Sequence, residues 1–442
     1  MAKLSDLPAE AVRLIVQCLS SPPANPRPNT NKAHRSFSLD HTEIEPLQAL
    51  PRRHWHDYPP PPPDKLPKNP LLSLALVSPT FRECAQETLF SNVAFDNPWE
   101  ASLFLRTLTR PSAEDELRMA EEKDEVESAR ALAIGRRPRL HRLAAHVRSL
   151  QFLWGGPCSM GMGGGSVFCE VLYCCPHLES LAISVCFLSR FKEPIMEALA
   201  SRRTITKFLL LQNPDRDTPG WLAEDVVGRL FSSWKGLRIV EMARLGSRPE
   251  EIITPLIQPS IAIIQCALVK IILHEPDLHE KELSLLLKNS HSSLQTLKIF
   301  NPTRKLRRPG LCQILKESTA PALESLTIMV QQEWEPLRSP SKAIRTSDDP
   351  AINAGLLDIV FRTSPALGSL KTLHFSGNLA TILLLRLLPQ SIVKLAWERC
   401  DIHEPALAQI LKQPDPWLPN LKCCLTLGCQ YSFRPPNIPS SL

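Results

Sequence analysis

From about residue 141 onward the chain repeats one phrase, L-x-x-L-x-L-x-x-N/C-x-L. "LESLAISVCFL" (178–188) fits it at every position, through Leu178, Leu181, Ile183, Cys186 and Leu188. "IVKLAWERCDI" (392–402) also fits throughout, ending in Cys400 and Ile402. "LKTLHFSGNLA" (370–380) fits through Asn378, and "ITKFLLLQN" (205–213) through Asn213. Weaker copies without the Asn or Cys begin at Val147, Leu237, Leu268, Leu294, Leu323 and Leu421. Most starts lie 22–32 residues apart; the gap from 323 to 370 holds a polar run. The last copy, "LKCCLTL", is out of register by one.

In a strand, alternate side chains point to opposite faces, so the apolar set of this phrase faces a core and the residues between face out. Stretches between copies, such as "FKEPIMEALASRR" and "LHEKELSLLLKNS", carry helical apolar spacing. No strand–helix unit can bury its own apolar face, so the units must stack. The phrase and its period fit the leucine-rich-repeat template. They predict an α/β chain with about ten repeats forming a solenoid over 141–442, and a polar insertion at about 331–351. The competing reading, an ordinary α/β domain with Leu-rich strands, does not explain the full-length matches or the spacing.

The first 140 residues have another texture. "LSDLPAEAVRLIVQCL" places Pro8 and Glu10 in the first turn of a helix, with Val12, Ile15, Val16 and Leu19 as one apolar stripe. In "LLSLALVSPTFRECAQETLFSNV" (71–93), Pro79 cannot lie inside a helix. Ser78 as a cap and Pro79 as the first helical residue divide the stretch into helices over about 71–77 and 79–90. Three short helices of roughly forty residues are near the lower limit for independent folding, so something else must complete their apolar surface. Between them, Ser20 to Pro70 holds about thirteen prolines, including "YPPPPPDKLPKNP". That composition favours extended or disordered chain. It is either a functional insert or an intron translated in frame. A charged stretch at 110–139 reads as a partly helical connector.

Composition narrows the function. A net charge of +6 over 442 residues and 6% aromatics leave little for nucleic-acid binding. The N-terminus lacks the apolar run of a secretory signal, and "IAIIQCALVKIIL" is too short and too polar to cross a bilayer. No membrane association is expected, and a cytoplasmic or nuclear location is. Thirteen scattered cysteines form no disulfide framework and should be mostly reduced and buried. Core packing is expected for Cys169, Cys174 and Cys175, and for Cys423, Cys424 and Cys429. "GGPCSMGMGGGS" (155–166) lacks the spacing and lysine of a phosphate loop and reads as a flexible loop between repeats. "HWH" (54–56) has no second ligand pair. No nucleophile elbow, zinc motif or catalytic loop is present, so neither an enzyme nor a cofactor nor a metal is expected.

The residues around the proline-rich stretch resemble a known family. "LPAEAVRLIVQCL" joined to "LLSLALVSPTFRECA" looks like an F-box, and "ETLFSNVAF" resembles the ending common in fungal F-box proteins. The resemblance implies a small all-helical F-box over 1–95, with its insert at about 20–70. A charged linker (96–140) and the repeats then follow. It further implies docking on a Skp-type adaptor and, through it, on cullin, in an SCF-type ubiquitin ligase. The family's adaptor contacts fall here on Leu7, Pro8, Ile15, Leu19, Leu74, Val77 and Phe81. Target binding, to an unknown protein, would use the outward strand positions of the concave face: Lys207, Glu241, Lys270, His274, Lys298, His374, Lys394 and Glu398. Four lysines against two glutamates point to an acidic or phosphorylated target, beside the plainer reading of a solvated strand face. The alternative to a ligase subunit is an interaction scaffold whose helices pack against its own repeats.

Overall fold

A computed structural model describes residues 7–20, 69–110, 142–161, 163–188, 191–211, 220–247, 266–319, 321–331, 334, 347–364, 367–400, 402 and 418–427. The chain divides into two compact units, Met1–Pro219 and Gly220–Leu442. Each is an α/β arrangement of parallel strands alternating with helices.

The first unit opens with α1 (Ala9–Ser20), α2 (Pro70–Leu74) and α3 (Pro79–Ser91). Their starts are fixed locally. Asn69 Oδ1 accepts the Leu71 N–H at 3.0 Å, and Ser78 Oγ accepts the Phe81 N–H at 3.3 Å. A proline follows each cap, where its missing N–H costs nothing. α2 is shorter than the expected 71–77. After Leu74 the chain tightens into i→i+3 bonds, Leu76 N–H to Ser73 O and Val77 N–H to Leu74 O, before the next cap. Val12, Val16, Leu71, Phe81, Cys84 and Ala85 form one core, with Leu7, Ile15, Leu74, Ala75 and Leu89 packed at its margin.

From α3 the chain passes directly into β1 (Asn92–Phe95), which pairs in parallel with β2 (Ser149–Phe152). Two expected boundaries therefore move. "NVAF", read as the tail of the helical module, is the first strand of the sheet, and Pro98–Thr109, read as linker, is α4, which packs on α5 (Gly165–Cys174). An aromatic cluster holds this start together, with Phe95, Phe152 and Phe168 at ring separations of 5.2 and 4.8 Å. β3 (Ser180–Ser184), α6 (Lys192–Ala200) and β4 (Lys207–Leu211) complete the unit, in the strand order β1-β2-β3-β4. The expected flexible loop at 155–166 lies within one repeat, between β2 and α5, and is hydrogen-bonded. Gly163 N–H donates to Ser159 Oγ at 2.7 Å, Gly165 N–H donates to Ser159 O at 2.9 Å, and a Cβ on Gly163 would collide with Ser159.

The second unit begins with α7 (Ala223–Asp225), which continues as a π-helix (Val226–Phe231). There follow β5 (Ile239–Ala243), β6 (Lys270–His274), α8 (Glu280–Lys288), β7 (Thr296–Phe300), α9 (Arg308–Glu317) and β8 (Ser325–Met329). The last elements are α10 (Leu356–Thr363), β9 (Thr372–Ser376), α11 (Leu384–Leu387), β10 (Lys394–Glu398) and β11 (Cys423–Leu427). The strands pair in sequence order with no slip: Lys270 faces Thr296, then Ser325, Thr372, Lys394 and Cys423. Consequently Leu237, Leu268, Leu294, Leu323, Leu370 and Ile392 stack as one fully buried row. β8 and β9 are adjacent although 47 residues separate the repeat starts at 323 and 370.

Five of these strands end in a left-handed residue: Arg244, Glu275, Asn301, Gly377 and Arg399, with φ between 48° and 80°. Four of their N–H groups, at 244, 275, 301 and 377, bond to the next strand's last carbonyl and carry the ladder one step further. Only Gly377 announces that turn in the sequence.

β11 departs from expectation. Register places Cys423 and Leu425 outward, yet Cys424, on the inward side, is exposed as well. Core packing therefore fails for Cys423 and Cys424, since no further described strand or helix covers this edge, and Cys429 lies outside the described residues. Cys169, Cys174 and Cys175 are buried as expected, among eight buried of twelve described cysteines. Burial pushes the Cys175 thiol up to about 12, well away from reactivity. No described helix is long and apolar enough to cross a membrane.

Candidate functional site

Two surfaces carry the residues singled out from the sequence. The first belongs to α1–α3. Its seven expected adaptor contacts separate by burial. Pro8, Leu19 and Val77 are exposed, Leu7, Ile15 and Leu74 lie half-buried at the core margin, and Phe81 has no exposed surface at all. Phe81 is therefore corrected from surface contact to core. It sits in the first turn of α3, in one core with Val12, Val16 and Leu71. Three further apolar residues of this module are exposed: Leu72 is 59% exposed, Leu76 81% and Leu14 62%. A signal for them existed. "LLSLALV" is apolar on every side, so a helix and turn built from it cannot bury all of its faces against one core. Ion pairs surround the module without covering these residues, with Arg142 at 3.3 Å from Glu83 and Arg13 at 3.8 Å from Glu87.

The second surface is the outward strand face, and the eight expected positions do not all share it. Lys207 belongs to the first unit, where the outward positions around it are apolar and buried: Ala182, Leu209 and Leu211, with Leu153 at their margin. The other seven lie in the second unit. There Lys394 is exposed and Lys270 half-buried, both at strand starts. The remaining five come together at the middle and far ends of the strands. Glu241 on β5 and His274 on β6 bond through Oε1 and Nε2 at 3.0 Å. His274 in turn stacks on Phe300 with ring centroids 4.8 Å apart and planes 5° from parallel. On the other side, His374 Nε2 lies 3.5 Å from Glu398 Oε1, an ion-pair separation too long for a good hydrogen bond. Both pairs are largely sheltered, at 12–17% side-chain exposure.

Lys298 of β7 stands between the two pairs. Its register neighbours are Ile272 on β6 and Thr327 on β8, only 6% and 5% exposed. Burial lowers the proton affinity of Lys298, and the Glu241 carboxylate partly restores it. Burial also lowers that of His374, opposed by Glu398 and reinforced by Lys298. Two acid–base pairs thus bracket one lysine, Glu241 hydrogen-bonded to His274 and Glu398 at ion-pair distance from His374.

Nothing in this arrangement is a nucleophile with its base, and among the described residues no group of three or more His, Cys, Asp or Glu is placed to hold a metal. "HWH" (54–56) lies outside the described residues, as does most of 331–351. Where that run is described it is tied down. Trp334 is buried and donates from Nε1 to Thr303 O at 3.3 Å, and Arg308 reaches the carbonyl of Pro350 at 3.1 Å. No known family model matches the chain, and no curated protein matches it either.

Proposed function

We propose that the chain is an F-box and leucine-rich-repeat substrate receptor of an SCF-type cullin–RING ubiquitin ligase. Its N-terminal helices dock on a Skp-type adaptor, and its repeats hold a target protein. The observation that carries this reading is α2 with its following turn. Leu71 and Leu74 pack into the three-helix core, while Leu72, Leu76 and Val77 remain at the surface. An apolar set of this kind on so small a module marks an interaction site. The roughly fifty residues between α1 and α2 do not preclude such a module. Lengthening a loop from about 8 to about 50 residues costs on the order of 1.6 kcal/mol, which an apolar interface of ordinary size offsets. The receptor performs no bond chemistry. It raises the concentration of its target beside the ubiquitin donor.

The test is co-purification of the full chain with a Skp-type adaptor, beside the variant Leu72→Ser, Leu76→Ser, Val77→Ser. Those three side chains are exposed, so the variant should fold with an unchanged circular dichroism spectrum. Adaptor retained by the parent and lost by the variant is the expected result. Adaptor held equally by both removes α2 from the interface. If neither binds while both are soluble monomers, the interaction-scaffold reading replaces this one.

A further inference from the structure

We propose that Lys298 is the centre of an anion-binding site on the outward strand face of the second unit, taking a carboxylate or phosphate carried by an acidic peptide. That the ligand is a peptide rests on reading the repeats as target-binding; the anion site itself stands on the geometry alone.

Among the described residues, Lys298 Nζ has no hydrogen bond and no carboxylate within ion-pair distance. The contrast with other lysines of this unit is direct. Lys305 lies 2.5 Å from Asp277 Oδ2 and Lys371 lies 2.7 Å from Glu324 Oε1. The half-buried Lys298 side chain, flanked in register by Ile272 and Thr327, loses hydration and receives only part of a counter-charge, from Glu241 at a distance. Its depressed proton affinity is the consequence of that enclosure. Glu241 offsets it only in part, because its carboxylate is hydrogen-bonded to His274, and Glu398 is turned to His374. His274 is further fixed by its stack on Phe300. The surroundings of Lys298 are therefore held in place before any ligand arrives.

An incoming anion supplies the missing charge. It also approaches His374, whose neutral form is favoured by burial and by Lys298 and opposed by Glu398. The charged groups facing this histidine are Lys298 on β7 and Glu398 on β10, with the Glu241–His274 pair beyond Lys298. A bound anion offsets the repulsion from Lys298, so His374 takes up a proton from solvent on binding. Binding therefore tightens as pH falls from 8 to 6.

The experiment uses the full chain and three fluorescein-labelled peptides of alternating leucine with glutamate, phosphoserine or glutamine, read by anisotropy at constant ionic strength. The glutamate or phosphoserine peptide should bind, the glutamine peptide should not, and inorganic phosphate should compete. The tighter of the two acidic peptides identifies the anion. Lys298→Met should lose at least tenfold in affinity and Lys298→Arg should retain most of it. Lys394→Met, which removes an exposed lysine from the same face, should lose less than twofold. The glutamate peptide should bind more tightly at pH 6 than at pH 8, and His374→Gln should flatten that dependence. Absence of acidic-peptide binding, or equal losses from Lys298→Met and Lys394→Met, overturns the site. Adaptor binding is read separately on α1–α3, so failure of the ligase reading and failure of this site give different results.

Discussion

His374 shows how a half-buried side chain on this face couples to stability. Its folded-state proton affinity lies below the usual histidine value because burial disfavours the imidazolium, and Lys298 adds to the effect. The unfolded chain therefore binds the proton first as pH falls through about 6.5. The unfolded state carries more protons in that window, so stability rises with pH there and is lost on acidification. Urea unfolding at pH 7, 6 and 5 should show a falling midpoint for the parent and a shallower fall for His374→Gln. The difference is bounded by about 1.4 kcal/mol per pH unit for one proton. Parallel slopes would remove His374 from the account. The position of this histidine was legible in the sequence, because outward residues follow the phase of the repeat. Its pairing with Glu398, on the adjacent strand, was not, and neither was the lack of a hydrogen-bond partner for Lys298. Those depend on which long side chains meet across neighbouring strands, and a single repeat does not encode that.

At the scale of the element, the repeat phrase placed every strand from β2 to β11, each starting two residues after its first Leu, Val or Ile. β1 escaped because "NVAF" has no such leucine frame; only its parallel partner, more than fifty residues on, makes it a strand. The final copy, "LKCCLTL", looked displaced by one, and its backbone keeps the register while its exposed side chains bear the mismatch. The described chain just after the polar run, from Pro350 to Ala354, is held by a residue that no pattern marks. Arg308, at the start of α9 and 3% exposed, donates to the carbonyls of Pro350, Asn353, Ala354 and Asn378 at 2.7–3.2 Å. The planar guanidinium reaches all four from one position, whereas a lysine ammonium is a point donor. Arg308→Met leaves those carbonyls without this donor and should cost about 3–4 kcal/mol in urea unfolding. Arg308→Lys should recover only a minor part. A loss under about 1 kcal/mol would show that water or neighbouring groups replace the clamp.

For the whole molecule, strand order equals sequence order within each unit, so every strand depends mainly on its immediate neighbours. Such chains behave as a sum of repeat stabilities and nearest-neighbour interfaces rather than as one indivisible core. The division into Met1–Pro219 and Gly220–Leu442 adds a boundary to that scheme. A lesion deep in one unit should therefore spread along its own strands and fade before reaching the other. Phe375 is fully buried on β9, between β8 and β10. Truncating such a phenylalanine to alanine removes about 3–5 kcal/mol of packing. In Phe375→Ala, amide hydrogen exchange should accelerate most in β8, β9 and β10, less in β6 and β7, and not at all in β1–β4. Uniform acceleration across all eleven strands would mean that the two units unfold as one cooperative body. In that case an anion bound at Lys298 would stabilise α1–α3 as well as the strands around it.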